Sequence, residues 1–592
     1  MLFRSREFME YVEREHAEEL PVHRVAWPDW WTDGFGSAAR ETAASRTTAS
    51  ALNAQEGLLA LARLLGATLP PGLGEELREI KDALLFYDEH TFGAAESISD
   101  PLAENTMVQW AQKAAYAWEA VKRTGRLNEV SMGFLQPYLP TGEAPVLAVF
   151  NTLNWPRSGV VEVYIDHELV PADRAFHIED AQGARLPVQR LRSRADGTYW
   201  GVQVTDVPGV GYSSYRVIRG DAVAAAAGKA DFPGALENRF YRIAFNGDGQ
   251  ITSLHDRELN LELLESEPAW KAGQLIYERL SNRAQLEHFK LDHADRTSTA
   301  KMSVVEYAEG PVWNSLRLRG ELPGCADARG IEVEIRLYHA LKRIDWSYQM
   351  HKLSVTDPEG LYVAFPLGLE AGRLRFEAQG ALIEPGTGQL EGTASDWNTV
   401  QNVVVVRNDR AAIHWCSPEI PLVQLGDINL GAFRYHAKVE KPRIYSWVLN
   451  NYWTTNFRAS QEGALRWTYT LSSTADRTLT AATRFGWDRR MPLAARVLPP
   501  GAPRGELGSQ HALRLDPSHL LLVSSGPAPD GNGILLQVRE LEGRASEWST
   551  DGLVPGRTVK VTPVDALGYP LAANSGSLTF KPHETRFLKL SW

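Results

Sequence analysis

Cysteine is nearly missing: Cys325 and Cys416 are the two in 592 residues. Neither a disulfide framework nor a cysteine zinc cluster can be read from a pair so far apart, and a reducing compartment is the expectation. Long apolar runs are missing too, and the start MLFRSREFMEYVEREHAEEL carries charge throughout in place of the apolar stretch of a secretory signal. The chain therefore reads as soluble and cytoplasmic. Clustered positive charge is a third absence. Lys and Arg number 62 against 73 Asp and Glu, a net charge of -11, with no basic run to neutralise phosphates. Nucleic acid and anionic membrane are excluded as expected partners, leaving neutral or cationic ones. No G-x-S-x-G elbow, P-loop, H-E-x-x-H or dinucleotide glycine fingerprint occurs. Esterase, phosphoryl-transfer and hydride-transfer chemistry thus lose their usual signals.

What is present is an ordinary folding mixture, 44% hydrophobic and 23% charged. The length is several times the roughly 100–200 residues that one core organises, so three or four packed units are expected. The aromatic content, 18 Trp and 19 Tyr, suits a large β core, and flat rings also suit sugar-stacking surfaces; core packing is the default.

Apolar spacing divides the chain. From Ala38 to about Asn128 the period is helical: Leu58, Leu61, Ala62 and Leu65 share a face, as do Leu73, Leu77, Ile80 and Leu84, then Met107, Trp110, Ala111, Ala114, Trp118 and Val121. Three amphipathic helices joined by turns such as Pro70-Pro71-Gly72 predict a bundle. Beyond Tyr138 the period falls to two, or to short apolar runs such as VLAVFNTL, GVVEVYI, VEIRLYH, NVVVVRN and GILLQVREL. The alanine run 222–227 and the stretch Leu498–Gly505 read as joints. The expected fold is α+β, a three-helix bundle followed by predominantly antiparallel β-sandwiches and a supersandwich. The expected units are 1–37 as a lead segment, 38–130 helical, 140–228 a small sandwich, 229–496 a large double sheet and 497–592 a final sandwich.

Three clusters could carry chemistry. Asp88-Glu89-His90 follows the second amphipathic helix and is closed by Gly93. Two carboxylates and an imidazole there suit metal ligation or acid–base work. The alternative is a helix end with His favoured by the macrodipole and the acids solvated. The segment WPDWWTDGFGS, Trp27 to Ser37 with Trp31 and Asp33, could form a stacking wall with a hydrogen-bonding carboxyl, or an aromatic plug on the bundle. The segment NNYWTTNFRASQEG places Asn450, Asn451, Trp453 and Asn456 after a strand, suited to a neutral polyol or to a loop satisfying its own backbone.

Together these segments resemble the middle and C-terminal parts of glycoside hydrolase family 38, the retaining zinc-dependent α-mannosidases, over nearly the whole chain. VFNTLNWPRSGVVEV (149–163), LENRFYRIAFNGDGQITSLHDRELN (236–260), IRLYHALKRIDW (335–346) and GILLQVRELEG (533–543) follow in that family's order. WTDGFGS resembles the family's Trp-Thr-Gly-aromatic-aromatic-Thr-Ser stretch, which makes Trp31 a substrate-binding candidate. YDEHTFGA stands where the family has His-His-Asp-x-x-x-Gly. Aligned on the glycine, Asp88 takes the ligand-histidine position and His90 is displaced by two.

The resemblance implies α-mannoside hydrolysis through a covalent glycosyl-enzyme, with zinc assisting. The family's His-x-Asp pair, nucleophile and general acid lie in an N-terminal β/α barrel, and no residue here matches them, so no catalytic residue is assigned. Remnants of a site are expected instead: Asp88 or His90 as a zinc ligand, and the linker 1–37 as the end of the barrel. Either the barrel is missing by truncation or it is a separate polypeptide partner, and in both cases Trp27, Trp30, Trp31 and Asp88–His90 are expected on an exposed aromatic patch. The rival expectation is a non-catalytic carbohydrate-binding or scaffold protein; a third is an enzyme for another sugar.

Overall fold

The structure, a computed structural model, describes residues 4–220, 225–287, 291, 293–299, 301–326, 330–436, 438–571 and 578–592. It is α+β, as the apolar periodicities predict. Helix α1 (Ser5–His16) has no buried residue. Helices α2 (Ala39–Leu65), α3 (Leu73–Asp88) and α4 (Glu104–Leu135) form the bundle. Helix α2 stops at Gly66, whose φ of 112° is open to glycine and whose N–H returns to the Ala62 and Arg63 carbonyls. Leu73, Leu77, Ile80 and Leu84 of α3 are buried as their spacing predicts.

Helix α4 presents a different face from the predicted one. Met107, Trp118 and Val121 are exposed, while Lys113, Ala117, Ala120, Thr124, Leu127 and Ser131 are buried. Small side chains let α4 lie close against α2 and α3, and proximity rather than side-chain size decides which face is covered.

The β region is antiparallel throughout its named strands. Its centre is a ten-stranded sheet and a six-stranded sheet sharing one core. Phe365 of the six-stranded sheet meets Trp346, Trp415 and Tyr469 of the ten-stranded one, with ring centroids 4.9–5.8 Å apart. The strand Glu359–Pro366 is buried at every position. Leu361, Val363 and Phe365 join the shared core, whereas Tyr362 and Ala364 pack on the opposite face with Ile276, Tyr445 and Trp447. That outer face of the six-stranded sheet underlies the site described below.

The chain does not divide by simple cuts. Strand Ala494–Leu498 pairs with Val146–Asn151, and Ser509–His511 pairs with Gly211–Arg219, so the first small sandwich receives strands from beyond the large one. Helix α2 packs on the strand Leu520–Pro527 of the last sandwich. Residues 222–224 of the alanine-rich joint lie outside the described residues; Gly228–Ala230 already pairs with Met302–Glu309. Cys325 and Cys416 are buried free thiols. Among the described residues no helix is long and apolar enough to cross a membrane.

Candidate functional site

The segment before α2 is a 3-10 helix, Trp30–Ala38. Asp29 starts it: its carboxylate accepts the Trp31 N–H at 2.8 Å, and its carbonyl accepts the Thr32 hydroxyl at 2.9 Å. The helix lies against the end of the strand Arg443–Asn450, where two glycines permit close approach. A Cβ at Gly34 would sit 2.1 Å from the Phe457 ring, and one at Gly36 would sit 2.3 Å from the Asn450 amide. The contact is then hydrogen-bonded. Asn450 Nδ2 donates to the Asp33 carbonyl at 2.9 Å, Gln461 Nε2 to the Gly36 carbonyl at 2.9 Å, and the Ala39 N–H to Gln461 Oε1 at 3.0 Å.

This docking brings Trp31, Asp33 and Trp453 into one place. They line a cavity of about 480 Å³ together with Trp30, Trp397, Phe433, Tyr435 and Tyr452. Trp31 is 43% exposed, and its ring meets Trp453 edge-on at 5.4 Å and His90 nearly parallel at 6.0 Å. Trp30 turns inward, its centroid 5.3 Å from Trp397 and its indole N–H on the Gly392 carbonyl at 2.9 Å. The tryptophan segment is thus a plug through Trp30 and an open wall through Trp31. Beneath, Tyr452 Oη donates to the fully buried Glu278 at 2.8 Å, which also takes Tyr362 at 3.1 Å and pairs with Arg296 at 2.6 Å. The far wall is held by Asp396, whose carboxylate accepts the Phe433 N–H at 2.5 Å and the Arg434 N–H at 3.3 Å.

Asp33 is the acid among the residues lining this cavity. Burial pushes its carboxyl up from 3.8 to about 8, although Trp453 Nε1–H, 3.2 Å from Oδ1, and the Gly34 N–H pull the other way. At neutral pH the group is largely protonated and can donate to a ligand oxygen as well as accept.

The other predicted residues have different surroundings. Asn451 donates to the Val355, Asp357 and Ala459 carbonyls at 2.7–3.0 Å and accepts the Glu359 N–H at 2.7 Å, so its polar atoms serve the backbone. Asn456, at φ 63°, exchanges backbone hydrogen bonds with the loop after α3: Phe92 N–H to its carbonyl at 3.0 Å, and its N–H to Ala94 at 3.1 Å. Asn450 holds the 3-10 helix, as above.

Asp88 and His90 sit at the end of α3 with separate partners. The Asp88 carboxylate accepts from Ser45 of α2 at 3.2 Å, and burial pushes it up against that hydrogen bond. His90 pairs with Glu89 and lies over Trp31. The acids tolerated at this helix end are answered by Lys113 of α4. Its ammonium donates to the Phe86 and Glu89 carbonyls at 2.9 Å and pairs with the Glu89 carboxylate at 3.1 Å. For Glu89, burial acts upward, but Lys113 outweighs it and holds the group below the usual carboxylate range. Among the described residues no three His, Cys, Asp or Glu side chains gather to hold a metal ion.

Sequence reasoning missed Trp397, Phe433, Tyr435 and Tyr452. Phe433 and Tyr435 alternate in GAFRYH, and Tyr452 adjoins Trp453; these are the local signals that could have drawn notice.

No family model matches the sequence, and it matches no curated protein. Solved structures do match in fold. An α-mannosidase from Enterococcus faecalis V583 superposes with a TM-score of 0.73 at 14% identity, over 100% of this chain and 72% of that one. A protein in glycosyl hydrolase family 38, also from Enterococcus faecalis, gives 0.71 at 13% identity, over 98% and 73%. The chain has the fold of these glycosidase structures. The fold likeness covers the whole chain, helical bundle and sandwiches alike.

Proposed function

We propose that this chain is the sugar-holding part of an α-mannosidase-like glycoside hydrolase. The observation that carries the reading is the convergence of Trp31, Trp453 and Asp33 on one cavity of about 480 Å³, a size that accepts a pyranoside ring. Tryptophan faces and edges suit the apolar side of a sugar, and a carboxyl that is largely neutral can serve hydroxyls as donor or acceptor. Glycoside hydrolysis needs two carboxyl groups across the scissile bond, and the described lining of this cavity offers one. The catalytic pair would come from a β/α-barrel polypeptide seated on the exposed aromatic face, where Trp27 is 58% exposed and Trp31 stacks beside His90. Asp88 or His90 would add a donor to a zinc ion otherwise held by that partner.

The single acid among the described residues of the lining favours a second reading, a carbohydrate-binding scaffold without hydrolysis. One experiment separates the two. The purified chain is titrated with methyl α-mannoside by calorimetry, then assayed with a chromogenic α-mannoside, zinc and a family 38 β/α-barrel polypeptide. Binding by the chain and turnover only in the mixture supports the hydrolase reading. Binding with no turnover in either supports the scaffold, and absence of binding refutes the sugar site.

A further inference from the structure

Away from the cleft, with which it shares no lining residue, the outer face of the ten-stranded sheet gathers arginines. Strand Arg373–Ala378 pairs with Val404–Arg407 in a register that sets Arg373 directly opposite Arg407. Arg375 follows two residues on, on the same face of its strand. Like charges directly opposite in a sheet are unfavourable, so such a pair calls for an answering charge. Arg477, from the loop leading into the helix Leu479–Arg490, lines the same cavity of about 850 Å³.

Two of the three acids on this lining, and the helix start, are otherwise engaged. Asp476 accepts the Thr478 N–H at 3.0 Å and its hydroxyl at 2.7 Å. Glu542 accepts the Thr480 N–H at 2.6 Å, and Thr478 caps the Ala481 N–H at 3.1 Å. Arg407 and Arg477 spend one amino group each on backbone carbonyls, of Arg477 and Asp409, at 2.8 and 2.7 Å. Arg375 reaches Glu384 only at 3.9 Å, and the Arg373 side chain makes no hydrogen bond or ion pair among the described residues. Burial, and then Arg375, hold the Arg407 guanidinium below its ordinary range. The lining sets four arginines against three acids, Asp409, Asp476 and Glu542, so it is locally positive in a chain whose net charge is -11.

We propose that this cavity binds a phosphate monoester dianion, free or carried on a sugar. Guanidinium forks arriving from three segments can share the several oxygens of a tetrahedral anion, which a two-oxygen carboxylate cannot offer to all of them. Asp409 lines the rim, where the ester's organic part would lie, and can take a hydroxyl, whereas the Asn408 amide is held by Glu370, Arg410 and Ala411.

The test uses the whole chain and inorganic phosphate, titrated calorimetrically at low ionic strength, with chloride at matched ionic strength as control. Saturable binding is expected, weakened about tenfold or more in Arg373→Gln and in Arg407→Gln but not in the remote control Arg24→Gln. Arg373→Gln removes no contact, so its melting temperature in chloride should be unchanged or raised, which separates loss of binding from loss of fold. A hexose monophosphate binding more tightly than phosphate, with the gain lost in Asp409→Asn, would assign the sugar-borne ester; equal affinity would assign the free ion. Equal isotherms for wild type and both variants, or a phosphate effect reproduced by chloride, would overturn the proposal. The site shares no residue with the aromatic cleft, so its failure would leave the sugar-site reading untouched.

Discussion

Asp33→Asn is the most informative single change at the aromatic cleft. The wild-type carboxyl titrates near 3.8 in the unfolded chain and is pushed up to about 8 in the fold by burial. The folded state therefore holds the proton more tightly, and the stability linked to it is fully present below about pH 4 and lost as pH rises through about 8. A difference of about four pH units corresponds to up to about 6 kcal/mol across that window, at about 1.4 kcal/mol per unit. Asparagine is isosteric, its amide oxygen can still accept from Trp453 Nε1 at the 3.2 Å position, and it does not ionise. The variant should accordingly lose this pH dependence while keeping the fold. The assay is urea unfolding of both proteins at about pH 5, 7 and 9, read by tryptophan fluorescence, with methyl α-mannoside affinity measured at each pH. Wild type should lose stability relative to the variant as pH rises, and its sugar affinity should fall above about pH 8 while the variant's stays level. Parallel pH profiles in stability and in binding would refute the reasoning, because they would mean that Asp33 is ionised throughout or does not face the ligand.

Trp31→Ala should weaken methyl α-mannoside binding about tenfold by calorimetry with little change in melting temperature, since the ring is 43% exposed and packs only on other aromatic rings of the cleft. Asn451→Ala should cost roughly 2–3 kcal/mol in urea unfolding, because the buried Ala459 carbonyl and Glu359 N–H, and the part-buried Val355 and Asp357 carbonyls, lose their partner. Gly36→Ala should destabilise by about 1–3 kcal/mol and lower sugar affinity together with stability, because its Cβ drives Asn450 away from the 3-10 helix. Lys352→Met should cost about 3–5 kcal/mol by stranding the buried Glu359, its partner at 2.6 Å, whereas Lys352→Met with Glu359→Gln should recover most of that loss.

The strands and helices were legible because burial imposes a period that hydropathy records. The alternation in VEIRLYH reappears as alternating burial along Ile331–Tyr338. The covered face of α4 was not legible, because its stripe of Ala117, Ala120, Thr124 and Ser131 owes its burial to closeness and not to apolar bulk. At the cleft, Trp31 and Asp33 stood out as an aromatic and an acid among glycines, and Trp453 as a tryptophan among Asn and Thr at a strand end. Asn451 and Asn456 stood out for their polarity, yet the Asn451 amide serves backbone groups, and Asn456 joins the loop after α3 through its own backbone with its side chain on the Thr455 hydroxyl. Local composition cannot tell a side chain that faces a ligand from one that closes a loop. It also cannot show that Trp30 will meet Trp397, or that returning strands will complete an earlier sandwich, since those pairings depend on the finished topology.

That topology also sets a timetable. The 3-10 helix takes its bonds from Asn450 and Gln461, 417 residues beyond Asp33 and 422 beyond Ala39. At a synthesis rate of about 5–20 residues per second, the tryptophans of Trp27–Trp31 leave the ribosome roughly 20–80 s before the strand that shelters them exists. During that interval they form a short apolar segment open to chaperones or to a premature partner. The cleft therefore waits on most of the β region, and a nascent chain stalled before Asn450 would display its ligand-facing aromatics without the strand that shelters them.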